Sequence, residues 1–174
     1  MKIKTKNIIL YGIFAALTAV CSMISIPLPF TPVPINLATL SVFLAGGLLG
    51  SKGSAISQIV YVFIGAVGLP VFANFQGGPG VLAGPTGGYV IGYIVAALLI
   101  GFILERIGRG FYKNIVAMVV GLFACYGLGT LWFMHVTGMG LLASLLMCVV
   151  PFLIGDFLKI VVAAFLTQRL YQFI

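Results

Sequence analysis

Two charged side chains stand inside an otherwise apolar stretch, "GDFLKIVVAAF" at residues 155–165: Asp156 and Lys159. Three residues apart on a helix, they share a face and can pair. A carboxylate accepts N–H bonds and an ammonium donates to a carbonyl oxygen. Side by side they complement a urea- or amide-like group with N–H next to C=O. The alternative is a self-neutralising clasp between helices. A charge at the bilayer centre costs about 2.5–3.5 kcal/mol on insertion scales, and intramembrane ionisable residues mark functional sites by default. Gly155 beside the pair gives room either to a ligand or to a closely packed helix.

Further candidates lie in "NFQGGPGVLAGPTGGY", residues 74–89. Asn74, Phe75 and Gln76 combine amide hydrogen-bonding groups with an aromatic face, against the alternative of ordinary loop solvation. Thr86 is placed to cap a helix start. Gly87 and Gly88 behind it would leave N–H groups open to an anion, unless the segment is simply a capped helix. Tyr89 and Tyr93, one turn apart, either line the same cavity or belong to an interfacial aromatic belt, as Trp132 does.

The elements that must position these residues follow from composition. The chain of 174 residues is 62% hydrophobic and only 6% charged, with a mean hydropathy of +1.27. A water-soluble domain needs far more charge, so residues 1–174 read as a single domain in lipid. Apolar runs near the roughly 20 residues that cross a bilayer recur at 8–26, 36–50, 54–73, 87–105, 114–134 and 151–170. The second run is short and must tilt, thin the bilayer or border a cavity. Proline-rich "PLPFTPVPI" (27–35), the turns "GSKGS" (50–54) and "GRGFYKN" (108–114), and the glycine-rich loop 74–88 separate the runs. Residues 135–150 form either the first part of one very long last helix or, as preferred, a short surface helix. Pro151 then opens the last span, since its missing N–H has no partner at a first helical position. That start puts Asp156 one to two turns below one membrane face.

The predicted fold is therefore all-α, a polytopic membrane protein with a bundle of six transmembrane helices. Lys2, Lys4, Lys6, Lys52, Arg106, Arg109, Lys113 and Arg169 all fall on one side of such a bundle, while the loops on the other side carry no Lys or Arg. This positive-inside asymmetry makes both termini cytoplasmic and turns the Pro- and Gly-rich loops outward. The N-terminal run reads as a retained first helix rather than a cleaved signal.

The formal net charge of +7 flanks apolar runs and forms no aromatic-interleaved patch, which excludes nucleic acid as a partner. Cys21, Cys125 and Cys148 lack metal-ligand or disulfide-framework spacing and read as buried small hydrophobes. No phosphate-binding loop, nucleophile–base set or metal cluster is visible, so neither ATP hydrolysis nor catalysis is expected. In the first span Gly12 and Ala16, and Ala15 and Ala19, are four apart. Small residues at that spacing admit a close helix, from this bundle or from another membrane protein.

Three segments, "PFTPVPI" (29–35), "GLPVFANFQGGPGVLAGPTGGY" (68–89) and "GDFLK" (155–159), resemble in order and position the signature segments of the BioY family. These are the biotin-binding S components of energy-coupling-factor (ECF) transporters. The resemblance covers nearly the whole chain. It implies a six-helix protein of a prokaryotic cell membrane that captures biotin from outside. Its partners would be a transmembrane coupling protein and two cytoplasmic ATPase subunits. Biotin would be the transported ligand and no cofactor is implied. Asp156 and Lys159 carry over as members of the biotin site, and Asn74 with them. Ala15 and Ala19 carry over as the face for the coupling protein. Biotin's ureido edge fits the Asp156–Lys159 pair, and Phe30, Phe75 and Tyr89 would pack on its thiophane ring and valeryl chain. With no outer-loop cation, Gln76 or the N–H groups near Thr86–Gly88 would receive its carboxylate. The alternative function is a stand-alone secondary transporter coupled through Asp156.

Overall fold

The computed structural model describes residues 5–173; Lys2 and Lys4, part of the orientation argument, lie outside them. Helix α1 (Thr5–Met23) ends just before Pro27, which cannot continue it. The proline-rich segment that follows is not helix, as its sequence requires, but it is more ordered than a loop. Strands β1 (Ser25–Leu28) and β2 (Thr31–Asn36) pair antiparallel, with Ser25 opposite Asn36 and Leu28 opposite Thr31. N–H groups alternate in direction along a strand, so Pro32 and Pro34 put both missing donors on one edge. The register slips between Ile26 and Leu28, at Pro27. This hairpin adds a two-stranded sheet to a fold that is otherwise mostly helical, as expected.

The second and third predicted spans are the arms of one element. Helix α2 (Ala38–Ala66) is broken at Gly50, whose φ of 74° and ψ of 178° are open to glycine. The Glu105 carboxylate takes the Ser51 backbone N–H at 2.8 Å and the Ser51 hydroxyl at 2.7 Å. It therefore caps the second arm at its start. A Cβ on Gly46, before the bend, would lie 3.0 Å from the Ala97 carbonyl. After the bend, Ser54 Oγ donates to that same carbonyl at 2.9 Å. The arms therefore double back along one another against α4 (Gly87–Ile107). The second arm also follows α1, through Gln58 Nε2 to Thr18 Oγ1 and Tyr61 Oη to Ser22 Oγ. It stops at Ala66, short of the expected 73, because Gly68 turns the chain at φ 112° and Pro70 follows. Phe72 then folds its ring back against Gly65, where a Cβ would come 2.1 Å from Phe72 Cζ.

The glycine-rich loop contains a 3-10 turn at Ala73–Phe75 and a short helix α3 (Pro79–Ala83). Helix α5 (Phe111–Thr137) returns across the bundle. Then α6 (Leu141–Cys148) stands as a separate short helix, broken at Val149, and Pro151 lies in a 3-10 turn leading into α7 (Leu153–Leu170). Among the described residues, five stretches are long and apolar enough to cross a membrane: α1, α2, α4, α5 and Leu141–Phe173.

Large apolar side chains such as Ile9, Phe63, Phe123, Leu131 and Phe157 face outward, while Thr18, Ser41, Gln58, Asn114, Asp156 and Thr167 are buried. In lipid the aliphatic exterior costs nothing, and helices gain by packing small residues closely. Gly101 is one such contact: a Cβ there would lie 2.4 Å from the Ser51 nitrogen and 2.5 Å from the Gly50 carbonyl carbon. Both are backbone atoms at the bend and cannot swing aside. Gly101→Ala is expected to destabilise the protein by about 1–3 kcal/mol, read as a lowered thermal unfolding midpoint in detergent. Gly127→Ala, which adds a methyl where nothing lies within 4 Å, should leave the midpoint unchanged or raise it.

Candidate substrate-binding site

Two helix starts meet at Asp156. It sits in the first turn of α7, where the helix dipole favours a negative charge. Thr39, at the start of α2, donates its hydroxyl to Asp156 Oδ1 at 3.0 Å. Lys159 Nζ donates to the same oxygen at 2.8 Å. The Tyr126 hydroxyl, from the middle of α5, donates to Oδ2. Lys159 Nζ also reaches the Asn36 carbonyl at 2.6 Å and Thr39 Oγ1 at 3.1 Å. The carboxylate is 3% exposed, so these bonds replace the hydration it has lost.

The pair faces a cavity with two lobes. The inner lobe, a cavity of about 40 Å³, is lined by Asp156, Lys159, Thr39, Tyr126, Cys125, Cys148 and Phe152. The outer lobe, of about 90 Å³, is lined by Asn74, Gln76, Thr86, Ser22, Phe72 and Val81. Val33, Pro34, Asn36, Tyr89 and Tyr93 belong to both lobes and form the waist between them. Both lobes combine apolar walls with a few placed polar groups, the arrangement of small-molecule pockets.

The sequence candidates divide accordingly. Asp156 and Lys159 meet in the inner lobe, Tyr89 stands at the waist, and Asn74, Gln76 and Thr86 line the outer lobe. Asn74 and Phe75 both have φ of 56°, which is uncommon for residues with a Cβ. Ser25 holds this turn: its hydroxyl donates to Asn74 Oδ1 at 2.9 Å and accepts the Asn74 backbone N–H at 3.0 Å. The Asn74 amide nitrogen remains for the cavity. Gln76 and Thr86 also border an open groove outside the outer lobe, at its mouth.

Other expectations need correction. Phe30 and Phe75 are exposed and line neither lobe. The hairpin tip carries Phe30 outward, and the left-handed turn does the same for Phe75. Thr86 precedes α4 but its side chain makes no capping bond. Gly87 gives its N–H to the Gly84 carbonyl at 3.1 Å. A Cβ on Gly87 would lie 1.8 Å from the Leu82 carbonyl oxygen, and one on Gly88 2.2 Å from Trp132 Cβ. These glycines serve close packing, which leaves Gln76 and the Thr86 hydroxyl as the polar groups at the mouth. A Cβ on Gly155 would meet nothing within 4 Å, so no helix packs closely on it. Ala15 is a core residue and Ala19 is half-buried, both on an apolar groove between α1 and the second arm of α2. The exposed small residues there are Gly12 and Ala16.

The BioY family model matches residues 1–174. The chain belongs to the BioY family. It is 41% identical over 168 residues to the biotin transporter BioY of Thermotoga maritima, covering 95% of each chain. To the biotin transporter BioY of Rhodobacter capsulatus it is 37% identical, covering 97% of this chain and 94% of that one. Its fold matches a 2.1 Å crystal structure of the S-component for biotin from an ECF-type ABC transporter. The TM-score is 0.91 at 27% identity, covering 98% and 95% of the two chains.

Asn36, Thr39 and Tyr126 are the residues that sequence reasoning missed. Asn36 was readable only as the residue that follows a proline-rich segment, Thr39 as a small residue in a helix, and Tyr126 as one aromatic among many. A polar side chain inside each apolar run was the available signal. The energetics of the pair follow from its burial. Removing one member leaves an uncompensated charge, which costs about 3–5 kcal/mol in buried pairs, while removing both is close to neutral. Lys159→Met is therefore expected to lower the thermal unfolding midpoint sharply, and Asp156→Leu/Lys159→Met to recover most of that loss, both measured without ligand.

Proposed function

We propose that the chain is the substrate-binding membrane subunit of a biotin importer, which captures biotin from outside and delivers it with a separate ATP-driven module. The observation that carries this reading is the Asp156–Lys159 pair on the wall of the two-lobed cavity. It lies in a chain whose relatives, at near full length, are named biotin transporters. A fused bicyclic urea with a short acyl tail has its polar ring at one end and its carboxylate at the other. The cavity has the same polarity, with Asp156 and its partners at the inner end and Gln76 and Thr86 at the mouth. Apolar Val33, Pro34 and Phe152 suit the parts in between.

The arrangement in the membrane belongs to the same reading. The chain is one domain crossing six times: α1, the two arms of α2, α4, α5 and α7. The doubled-back arms support the even count. Lys6, Lys52, Arg106, Arg109, Lys113 and Arg169 then share the cytoplasmic side with both termini, and the hairpin and glycine-rich loop face outward. The apolar groove floored by Gly12, Ala15, Ala16 and Ala19 is the face offered to a transmembrane coupling protein, which would connect to two cytoplasmic ATPase subunits.

Calorimetric titration of the purified chain tests the first part. Biotin and desthiobiotin, which share the ureido ring, should bind, and lipoate, which lacks it, should not. Asp156→Asn should weaken biotin at least about tenfold, from the 1.5–3 kcal/mol of a charged hydrogen bond. Absence of any heat with biotin would overturn the assignment. For the second part, a leucine at Ala16 or Ala19 should leave biotin affinity intact and abolish uptake in cells. Normal uptake would move the docking face elsewhere.

A further inference from the structure

The charges along the way from the ion pair to the outside decide which end of a ligand the protein can read. Among the described residues, Asp156 and Lys159 are the only charged side chains that line either lobe or the open groove beyond them. They neutralise each other at 2.8 Å. The three protons of the Lys159 ammonium are engaged by Asp156 Oδ1, the Asn36 carbonyl and Thr39 Oγ1. His135 lies against Trp132, with ring centroids 6.4 Å apart, and lines none of the three spaces. No net positive charge therefore faces the cavity or its mouth.

A carboxylate moved from water into such a neutral interior loses hydration and gains no counter-charge. The least costly place for it is where water still reaches, and that is the mouth. Space opens outward, from about 40 Å³ in the inner lobe and about 90 Å³ in the outer lobe to about 570 Å³ in the groove. Pro32, Gln76, Val81 and Thr86 line both the outer lobe and the groove, so the two are continuous. Gln76 is exposed and Thr86 half-buried. Both are neutral, and each can pair with an amide as well as with a carboxylate. The start of α4 borders the mouth too, but a helix dipole at a wet surface is worth only about fivefold in affinity at most. On the groove wall, a Cβ at Gly80 would meet nothing within 4 Å, so atoms beyond the carboxyl carbon have somewhere to go.

We propose that the site selects for the ureido ring and leaves the carboxyl end unread. Carboxyl amides of biotin, including its amide with the ε-amine of lysine, are then ligands of this chain alongside the free acid. Proteolysis of a protein that carries biotin on a lysine supplies the second compound. The assignment rests on the biotin-binding reading and widens it from one acid to a class of tail-modified ureido compounds.

Calorimetric titrations of the purified chain with biotin, its primary amide and Nε-biotinyl-lysine test it. The three dissociation constants should lie within about tenfold of one another. A loss of more than about tenfold for either amide would overturn the proposal, since a charge or a closed wall must then read the acid. Gln76→Lys puts a cation at the exposed mouth. It should raise the preference for the acid over the primary amide by about threefold or more at low salt, the scale of an exposed ion pair. An unchanged preference would also overturn the proposal, because the carboxyl end would then lie elsewhere. A wild-type chain that fails to bind biotin at all would instead bring down the functional reading on which the proposal rests.

Discussion

A carboxylate removed from water must be fully compensated or it will not stay ionised, and the architecture around Asp156 follows from that requirement. Three donors converge on it from α2, α5 and α7. For them to do so, the starts of α2 and α7 must face each other and the middle of α5 must pass alongside. Lys159 extends the constraint to the backbone by holding the Asn36 carbonyl, which fixes where the hairpin joins α2. The ion pair thus sets the relative height of three helices and one strand. In a low-dielectric surrounding such a network is stable only when complete, so the site is held rigid before any ligand arrives.

The sequence made the crossing segments visible because lipid imposes a coarse rule: about 20 apolar residues between polar breaks. Helices α4 and α5 fall within three residues of the expected limits for that reason. Length alone did not show that two short runs are arms of one bent element. That depends on Gly50 and on Glu105, which lies 54 positions beyond Ser51. The proline-rich segment was rightly denied to helix, yet proline content does not reveal that Pro32 and Pro34 share one strand edge. Asp156 and Lys159 were legible because charge is rare in lipid. Thr39 and Tyr126 were not, because nothing distinguishes them until the fold brings them within reach of the carboxylate from 117 and 30 positions away.

Glycine carries two different messages in this chain. At Gly50 and Gly68 it supplies backbone angles that other residues resist. At Gly65, Gly87, Gly88 and Gly101 it supplies absence of volume, so that a ring, a carbonyl or another backbone can come close. The same residue type in "GPTGGY" suggested open N–H groups for an anion, whereas the structure uses Gly87 and Gly88 for contact. The distinction is invisible without the neighbours.

The tie between Ser25 and Asn74 has a further consequence. Asn74 is exposed and Ser25 half-buried, and the bonds between them face solvent, so water can replace them with little net change in free energy. Phe72, a few residues away, is buried against Gly65 and Tyr61 and cannot be exchanged in that way. The outer covering is therefore fastened firmly at one edge and loosely at the other, like a flap with its hinge at Phe72. Exchange of the Ser25–Asn74 bonds for water would loosen that edge without touching the packing of Phe72.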